Sequence, residues 1–314
     1  MRFKSILTAI VLLAVAGAAA FWFLTQPNGM SPDVLTPHTA DLANGKTMFN
    51  IGGCASCHAT PVKDAKPEDR LKLGGGLALN TPFGTFKVPN ISPDENAGIG
   101  RWTELQFVNA MQRGIGPNGE HLYPAFPYTS YQRMRLEDVR DLFAYLKTLP
   151  PVSTASQPHD LAFPFNFRRG LGLWKLVFLD GKPFQPSPSR SAELNRGAYL
   201  IEGPGHCAEC HSPRNVAGAI IEEQRFAGGP DPEGKGWVPN ITSAPSGLGK
   251  WSAKDIAYLL EMGETPGGDY VGGSMADVIP NTAALSAEDR NAMAAFLKSL
   301  PAREGPPRPS KTGT

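Results

Sequence analysis

Four cysteines are the whole thiol content of this 314-residue chain, and they fall into two matching arrangements, Cys54-Ala-Ser-Cys57-His58 and Cys207-Ala-Glu-Cys210-His211. Cys-x-x-Cys-His is a c-type haem attachment signature. Two thiols on one helical turn reach the two vinyl groups of one porphyrin, and the histidine that follows meets the iron from the same side. Other uses of the spacing fare worse. Two pairs about 150 residues apart leave a zinc ion at each short of ligands. A dithiol redox motif has no need of histidine directly after it in both copies. A disulfide closing so short a loop is strained and unusual as a staple. The motif therefore calls for two covalently bound haem c groups, attached through Cys54 and Cys57 and through Cys207 and Cys210. His58 and His211 are the first axial iron ligands.

The surroundings of the motif are duplicated too. Val88-Pro-Asn-Ile91 returns as Val238-Pro-Asn-Ile241, Gly100-Arg-Trp-Thr103 as Gly249-Lys-Trp-Ser252, and Leu146-Lys-Thr-Leu-Pro150 as Leu297-Lys-Ser-Leu-Pro301. Four landmarks in one order, with a period too long for a solenoid, define two domains from one ancestral unit. Within each unit the apolar spacing is helical. A helix precedes each Cys-x-x-Cys-His, a second opens on Thr103/Gln106 or Ser252/Asp255 and stops at Gly114 or Gly263, and a third ends before Pro150 or Pro301. No stretch shows sustained strand alternation, so the predicted class is all-α. High Gly (34) and Pro (30) suit small helical domains with long loops. A net charge of +1 argues against nucleic acid as a partner.

Arg2 and Lys4 precede an apolar run from Ile6 to Leu24, whose 19 residues would span roughly 28 Å as a helix against about 30 Å of hydrocarbon. Phe21-Trp-Phe-Leu24 follows the small residues Ala18 to Ala20 and keeps the run apolar, which favours an uncleaved transmembrane anchor over a cleaved signal peptide. Basic residues ahead of the run keep the amino terminus in the cytoplasm and place the remainder in the periplasm. The expected organisation is an anchor over 1–25, a polar tether over 26–39, a first domain over 40–150, an interdomain segment over 151–191, a second domain over 192–302 and a disordered tail over 303–314. The interdomain segment, with Phe163-Pro-Phe-Asn-Phe167 and Leu171 to Phe178, is too apolar for a free linker. It is expected to pack across the two domains, the alternative being a docking surface for a partner or the membrane.

The sixth ligands differ between the halves. Met275, after Gly272-Gly273-Ser274, sits on a Gly-rich loop before the last helix and is the axial candidate there; Met262 and Met293 read as core. Counting back from Met275 by the spacing of the final helices lands on Pro124, and that loop holds no methionine. The first domain offers Met134, with His121 or an open iron as alternatives, while Met111 reads as core. Trp102, Trp251 and Arg214 are candidate haem propionate contacts, the tryptophans equally suited to filling the core. Asn90 and Asn240 should cap loop backbone, and His38, His159 and His206 belong in polar loops.

Three further segments, Val88-Pro-Asn-Ile-Ser-Pro-Asp94 leading to Gly98-Ile-Gly-Arg-Trp102, His121-Leu-Tyr-Pro-Ala-Phe-Pro-Tyr128, and Asn195-Arg-Gly-Ala-Tyr199, complete a pattern running from about His38 to Ala302. It resembles the multihaem cytochrome c subunits of bacterial membrane-bound alcohol and gluconate dehydrogenases. The resemblance implies class I cytochrome c domains, here two in tandem after an N-terminal transmembrane helix. It also implies electrons taken from a dehydrogenase and passed along the respiratory chain to quinone or an oxidase. In that family the loop carries Met or Phe where Phe126 stands, and with Phe a methionine commonly occupies the position of Met134. Those subunits typically have three haem domains where this chain has two. The expected function is electron transport without a substrate of its own. The alternative is a dihaem, peroxidase-like enzyme with an open first haem.

Overall fold

The computed structural model describes residues 2–64, 66–234 and 236–308. Helix α1 (Arg2–Leu24) holds a 22-residue apolar span, Phe3–Leu24, with a mean hydropathy of 2.4 and no part of it buried, long and apolar enough to cross a membrane. The tether after it is docked along the first domain. The Met30 N–H donates to Asn109 Oδ1 at 2.7 Å, Arg140 donates to the Thr36 carbonyl at 2.8 Å, and His38 Nε2 lies 2.7 Å from Asp141 Oδ1.

Each half repeats the same sequence of elements. The first has α2 (Leu42–Ile51), the attachment turn α3 (Cys54–His58), α4 (Glu104–Arg113), the single turn α5 (Tyr128–Tyr131) and α6 (Leu136–Leu146). A short bridging helix α7 (Leu171–Phe178) follows, then α8 (Ala192–Glu202), the attachment turn α9 (Ala208–His211), α10 (Ala253–Met262), α11 (Ser274–Ala283) and α12 (Ala287–Ser299). The helix ends are those the capping residues dictate. Thr103 with Gln106 and Ser252 with Asp255 form complete capping boxes, and Gly114 and Gly263 close the same helices in the left-handed conformation. Two small antiparallel ladders lie outside the helical reading: β1 (Ala78–Thr81) with β2 (Gly84–Lys87), and β3 (Gly229–Pro230) with β4 (Trp237–Val238). Strands of four and two residues are too short to display a period-two pattern. The fold is therefore helical with minor hairpins.

In both halves the first helix crosses the last at nearly backbone contact. A Cβ on Gly45 would come within 2.2 Å of the Asp141 carbonyl oxygen, and one on Gly197 within 1.9 Å of that of Ala292. Only glycine permits that approach. The apolar faces of these helix pairs merge into one core cluster that runs through both halves, from Met48, Leu142 and Leu146 to Tyr199, Ile201 and Phe296. Asp138 joins the halves in polar terms: it accepts from Asn44 Nδ2 at 2.7 Å within its own domain and from the Tyr199 hydroxyl of the other.

The first residues of the expected tail make contacts with the second domain. Asn240 Nδ2 donates to the Arg303 carbonyl at 2.7 Å, the Arg303 guanidinium donates to the carbonyls of Glu222 and Arg225, and Gly305 packs on Ala227. Residues 303–308 thus lie along the second domain because Asn240 needs a backbone acceptor there. The rest of the expected tail, 309–314, lies outside the described residues.

Asp141 gathers the start of α2 and the tether onto α6. Burial alone would raise its carboxyl, but hydrogen bonds from the Asn44 amide, the Asp41 N–H and His38 outweigh that and hold it below the usual 3.8. A carboxyl depressed in the folded state contributes stability above its unfolded value and loses it as pH falls through the folded one. Asp141→Asn should therefore lower stability at neutral pH and flatten the acid limb of the denaturation curve below about pH 4. Chemical denaturation across pH 2 to 7 reads this directly.

Candidate haem-binding sites

Each attachment turn follows from a local break in the chain. Helix α2 stops at Gly52, and Gly53 takes φ +57° to start α3; in the second half His206 takes the same left-handed place with φ +39°. One turn then presents the two thiols and the histidine together. His58 Nδ1 lies 2.8 Å from the Pro89 carbonyl oxygen, and His211 Nδ1 lies 2.9 Å from that of Pro239. A carbonyl only accepts, so Nδ1 carries the proton and Nε2 is left with its lone pair. Burial lowers the His58 pKa to about 4 and lowers that of His211, so both rings are neutral, the form that binds a metal.

The proline carbonyls are delivered by the repeated Val-Pro-Asn-Ile segments. Asn90 Oδ1 accepts from the Ser92 N–H while its Nδ2 donates to the Val152 and Thr154 carbonyls; Asn240 makes the same kind of bonds with Thr242 and Arg303. As expected, these asparagines fasten loop backbone, and the partner is the strand of chain leaving the last helix. A feature the sequence reading missed is the glycine behind each histidine. The Gly75 and Gly228 N–H groups donate to the His58 and His211 carbonyls, both at 2.8 Å, with φ of +69° and +74°. A Cβ at Gly75 would lie 2.5 Å from the Pro89 carbonyl, and one at Gly228 would lie 2.6 Å from the Asn240 nitrogen. The signal was available, since a glycine stands at the same distance after each histidine.

None of the four cysteines is in a disulfide. Burial pushes Cys54 and Cys207 up to about 12 and Cys210 up to about 11, and raises Cys57 as well. A redox-active dithiol is tuned the other way. Two protonated thiols and a neutral histidine with Nε2 free, on one turn, twice over, are the donor set that fits haem c.

Met134 is 1 % exposed in the first core, its carbonyl held at 2.7 Å by Gln112 Nε2. Met275, expected on a loop, instead lies half-buried in the first turn of α11, because Gly273 lets the chain enter the helix early. The Leu122 N–H donates to Gly114 as the Val271 N–H donates to Gly263. The same step from Met275 lands on Phe126, and the spacing of the final helices matches Met134 with Leu285. One half therefore holds Phe126 and Met134 where the other holds Met275 and Leu285.

His121 is committed elsewhere: its Nε2 lies 2.8 Å from the Thr25 carbonyl and its Nδ1 3.2 Å from Lys175 Nζ. Met111 and Met293 are core, but Met262 is 53 % exposed, a correction, since it ends α10 on the solvent side. Trp102 and Trp251 are half-buried against the core. Arg214 bonds to the Gly218 carbonyl and, at 2.7 Å, to the carboxylate of Glu209. His206 lies in the connection between α8 and α9, as expected, where its ring packs on Tyr131 at 5.6 Å and Nε2 lies 3.2 Å from the Gly52 carbonyl oxygen.

Both attachment turns lie at the domain junction. The residue between the cysteines of each turn bonds to the other domain: Ser56 donates to the Asp277 carbonyl at 2.8 Å and accepts from Asn281 Nδ2 at 2.7 Å, while Glu209 accepts from Ser130 at 2.7 Å and Thr129 at 2.8 Å. Ser130 and Asn281 correspond to one another, as do Ser56 and Glu209. The contacts are reciprocal, as an approximate two-fold would make them.

The cytochrome c family model matches residues 42–150 and again 195–301. A diheme cytochrome c-type protein of Cereibacter sphaeroides is 50% identical over 96% of this chain and 99% of its own length. The fructose dehydrogenase cytochrome subunit of Gluconobacter japonicus is 35% identical over 96% of the chain, and the alcohol dehydrogenase (quinone) cytochrome c subunit of Gluconacetobacter polyoxogenes 37% identical over 90%. The chain spans about three fifths of the length of these two subunits, 61% and 60%.

Glu209→Ala would remove the acceptor of Arg214 and of two hydroxyls in the interface, and should destabilise the chain by about 2–3 kcal/mol. Ser56→Ala removes neutral bonds only and should cost about 1 kcal/mol. Urea denaturation of the two variants beside the parent checks the contrast.

Proposed function

The chain belongs to the cytochrome c family, and on that premise we propose that it is a dihaem electron carrier, held at a membrane by α1, that links a dehydrogenase to the respiratory chain. One observation carries the reading: two attachment turns, each with a histidine oriented by a proline carbonyl, are each bonded to a helix of the other domain. Haem c supplies a one-electron iron couple when bound.

The chain's own residues do the rest. Cys54, Cys57, Cys207 and Cys210 would form the thioether links, and His58 and His211 would each present Nε2 to the iron. Met134 and Met275 are assigned as the sixth ligands. The support is their complementary placement, one methionine per half at one of two matched positions, the other position filled by Phe126 or Leu285. A thioether opposite histidine favours electron transfer over binding of small molecules. Because each turn is hydrogen-bonded to the other domain and the halves share one apolar core, the distance between the two groups does not depend on a flexible linker.

The partner follows from the relatives. Cytochrome subunits of fructose and alcohol dehydrogenases align with most of this chain, which supports a dehydrogenase as the donor; the proposed acceptor is quinone or an oxidase. The diheme relative, matched over nearly its whole length, supports a count of two. Arg2 and Lys4 at the start of α1 support a periplasmic position for the haem domains. The work of the chain is electron carriage, with no substrate chemistry of its own.

Magnetic circular dichroism tests the ligand set. The parent should show the methionine–iron charge-transfer band, and Met134→Ala and Met275→Ala should each remove about half of its intensity, the expected share for one ligand of two. Each variant should gain carbon monoxide binding at one haem. Full intensity in either variant would refute that assignment.

A further inference from the structure

Helix α7 is amphipathic the wrong way round for a protein in water. Its inward side carries Gly172 and Lys175, which is 9 % exposed and donates to the carbonyls of Arg113 and Gly114. Its outward side carries Leu173, Leu176 and Val177 at i, i+3 and i+4, exposed by 42, 61 and 73 %. An interior lysine beneath an exterior leucine stripe is the inverse of an ordinary surface helix. The stripe is continued by Phe163 and Phe167, exposed by 80 and 52 %, and by Val216 of the second domain, beside the Ala217 carbonyl that accepts the Trp174 indole N–H at 2.9 Å. The expectation that this segment packs across both domains thus holds for Trp174, which also stands edge-on to Tyr128. Most of its large apolar side chains nonetheless face outward.

The position of this patch identifies its occupant. Phe167 stacks on Phe21 of α1 with ring centroids 6.0 Å apart, and Gly172 sits so close to Thr25 that a Cβ would lie 2.6 Å from its Cα. Arg169 donates to the Trp22 carbonyl at 2.7 Å and to Thr25 Oγ1 at 2.8 Å, with its guanidinium 4.3 Å above the Trp22 ring. These contacts clamp the patch to the last turn of the apolar span, at the level where Trp and Arg mark a membrane–water boundary. A patch fixed there meets lipid wherever α1 does.

We propose that α7 and the Phe163–Phe167 segment form a second membrane contact: a monotopic surface whose Leu173, Leu176 and Val177 sit in the headgroup and upper acyl region of the leaflet that α1 leaves. The inference rests on the reading of α1 as a membrane span. Two attachments, a helix through the bilayer and a helix lying on it, would fix the tilt of both haem domains against the membrane.

Photo-crosslinking of the full-length chain in phospholipid nanodiscs tests it, using a phosphatidylcholine with a diazirine high on the acyl chain and mapping adducts by peptide mass spectrometry. Adducts are expected on α1 and on the peptide spanning 163–178, and not around Val62, an exposed apolar residue elsewhere. Leu176→Asp with Val177→Asp should lose the second set and keep the first. Adducts on α1 alone would overturn the proposal while leaving the anchor intact, and would leave the patch to a protein partner. Absence from α1 as well would remove the anchor reading and the proposal together.

Discussion

A hydrogen bond from an imidazole Nδ1–H to a proline carbonyl, made once in each half, is the contact on which the rest of the structure converges. It settles which ring nitrogen is protonated and so which one is a ligand, and it holds the ring against rotation. Everything around it serves to place that carbonyl. Gly75 and Gly228 tie the histidine's own backbone to the loop in a conformation side chains resist. Asn90 and Asn240 bind the proline segment to the chain that leaves the last helix. The last helix is positioned by its crossing with the first, at Gly45 and Gly197. Helix packing, loop geometry and ligand orientation are thus one connected arrangement, repeated.

The halves share the framework and differ where they touch. Each attachment turn lends its middle residue to the other domain, yet Ser56 makes neutral bonds while Glu209 is a buried carboxylate balanced by Arg214. The matched methionine positions are filled in opposite senses. Two copies under one fold constraint have diverged at the methionine positions proposed as ligands and at the residues of the domain interface. The outer surface carries the other asymmetry: among the described residues, the tether and the end of α1 dock on the first domain and its bridging helix.

Much of this was legible in the chain. The Cys-x-x-Cys-His motifs, the capping boxes and the helix-ending glycines are local signals, and local signals survive without a structure. Asn90 and Asn240 were readable as loop fasteners because asparagine after proline has few other uses. The placement of Met275 was not legible, since Gly272-Gly273 reads as a loop whether or not a helix starts directly after it. Nor was the role of His206 or Glu209, because their partners, Gly52, Ser130 and Thr129, lie in the other domain and nothing in the sequence gives that pairing. The inversion of α7 was hidden for a related reason: an apolar run looks the same whether it faces a core or a bilayer.

The central claim is that each turn is organised to hold one covalently bound haem, two to the chain. The intact mass of the chain, purified from membranes of a host that matures c-type cytochromes and measured after denaturation, tests it most directly. The account predicts the polypeptide plus two haem groups, falling to one in a Cys54→Ala/Cys57→Ala or a Cys207→Ala/Cys210→Ala variant. A parent mass carrying a single haem, or none with the cysteine pairs oxidised to disulfides, would contradict it.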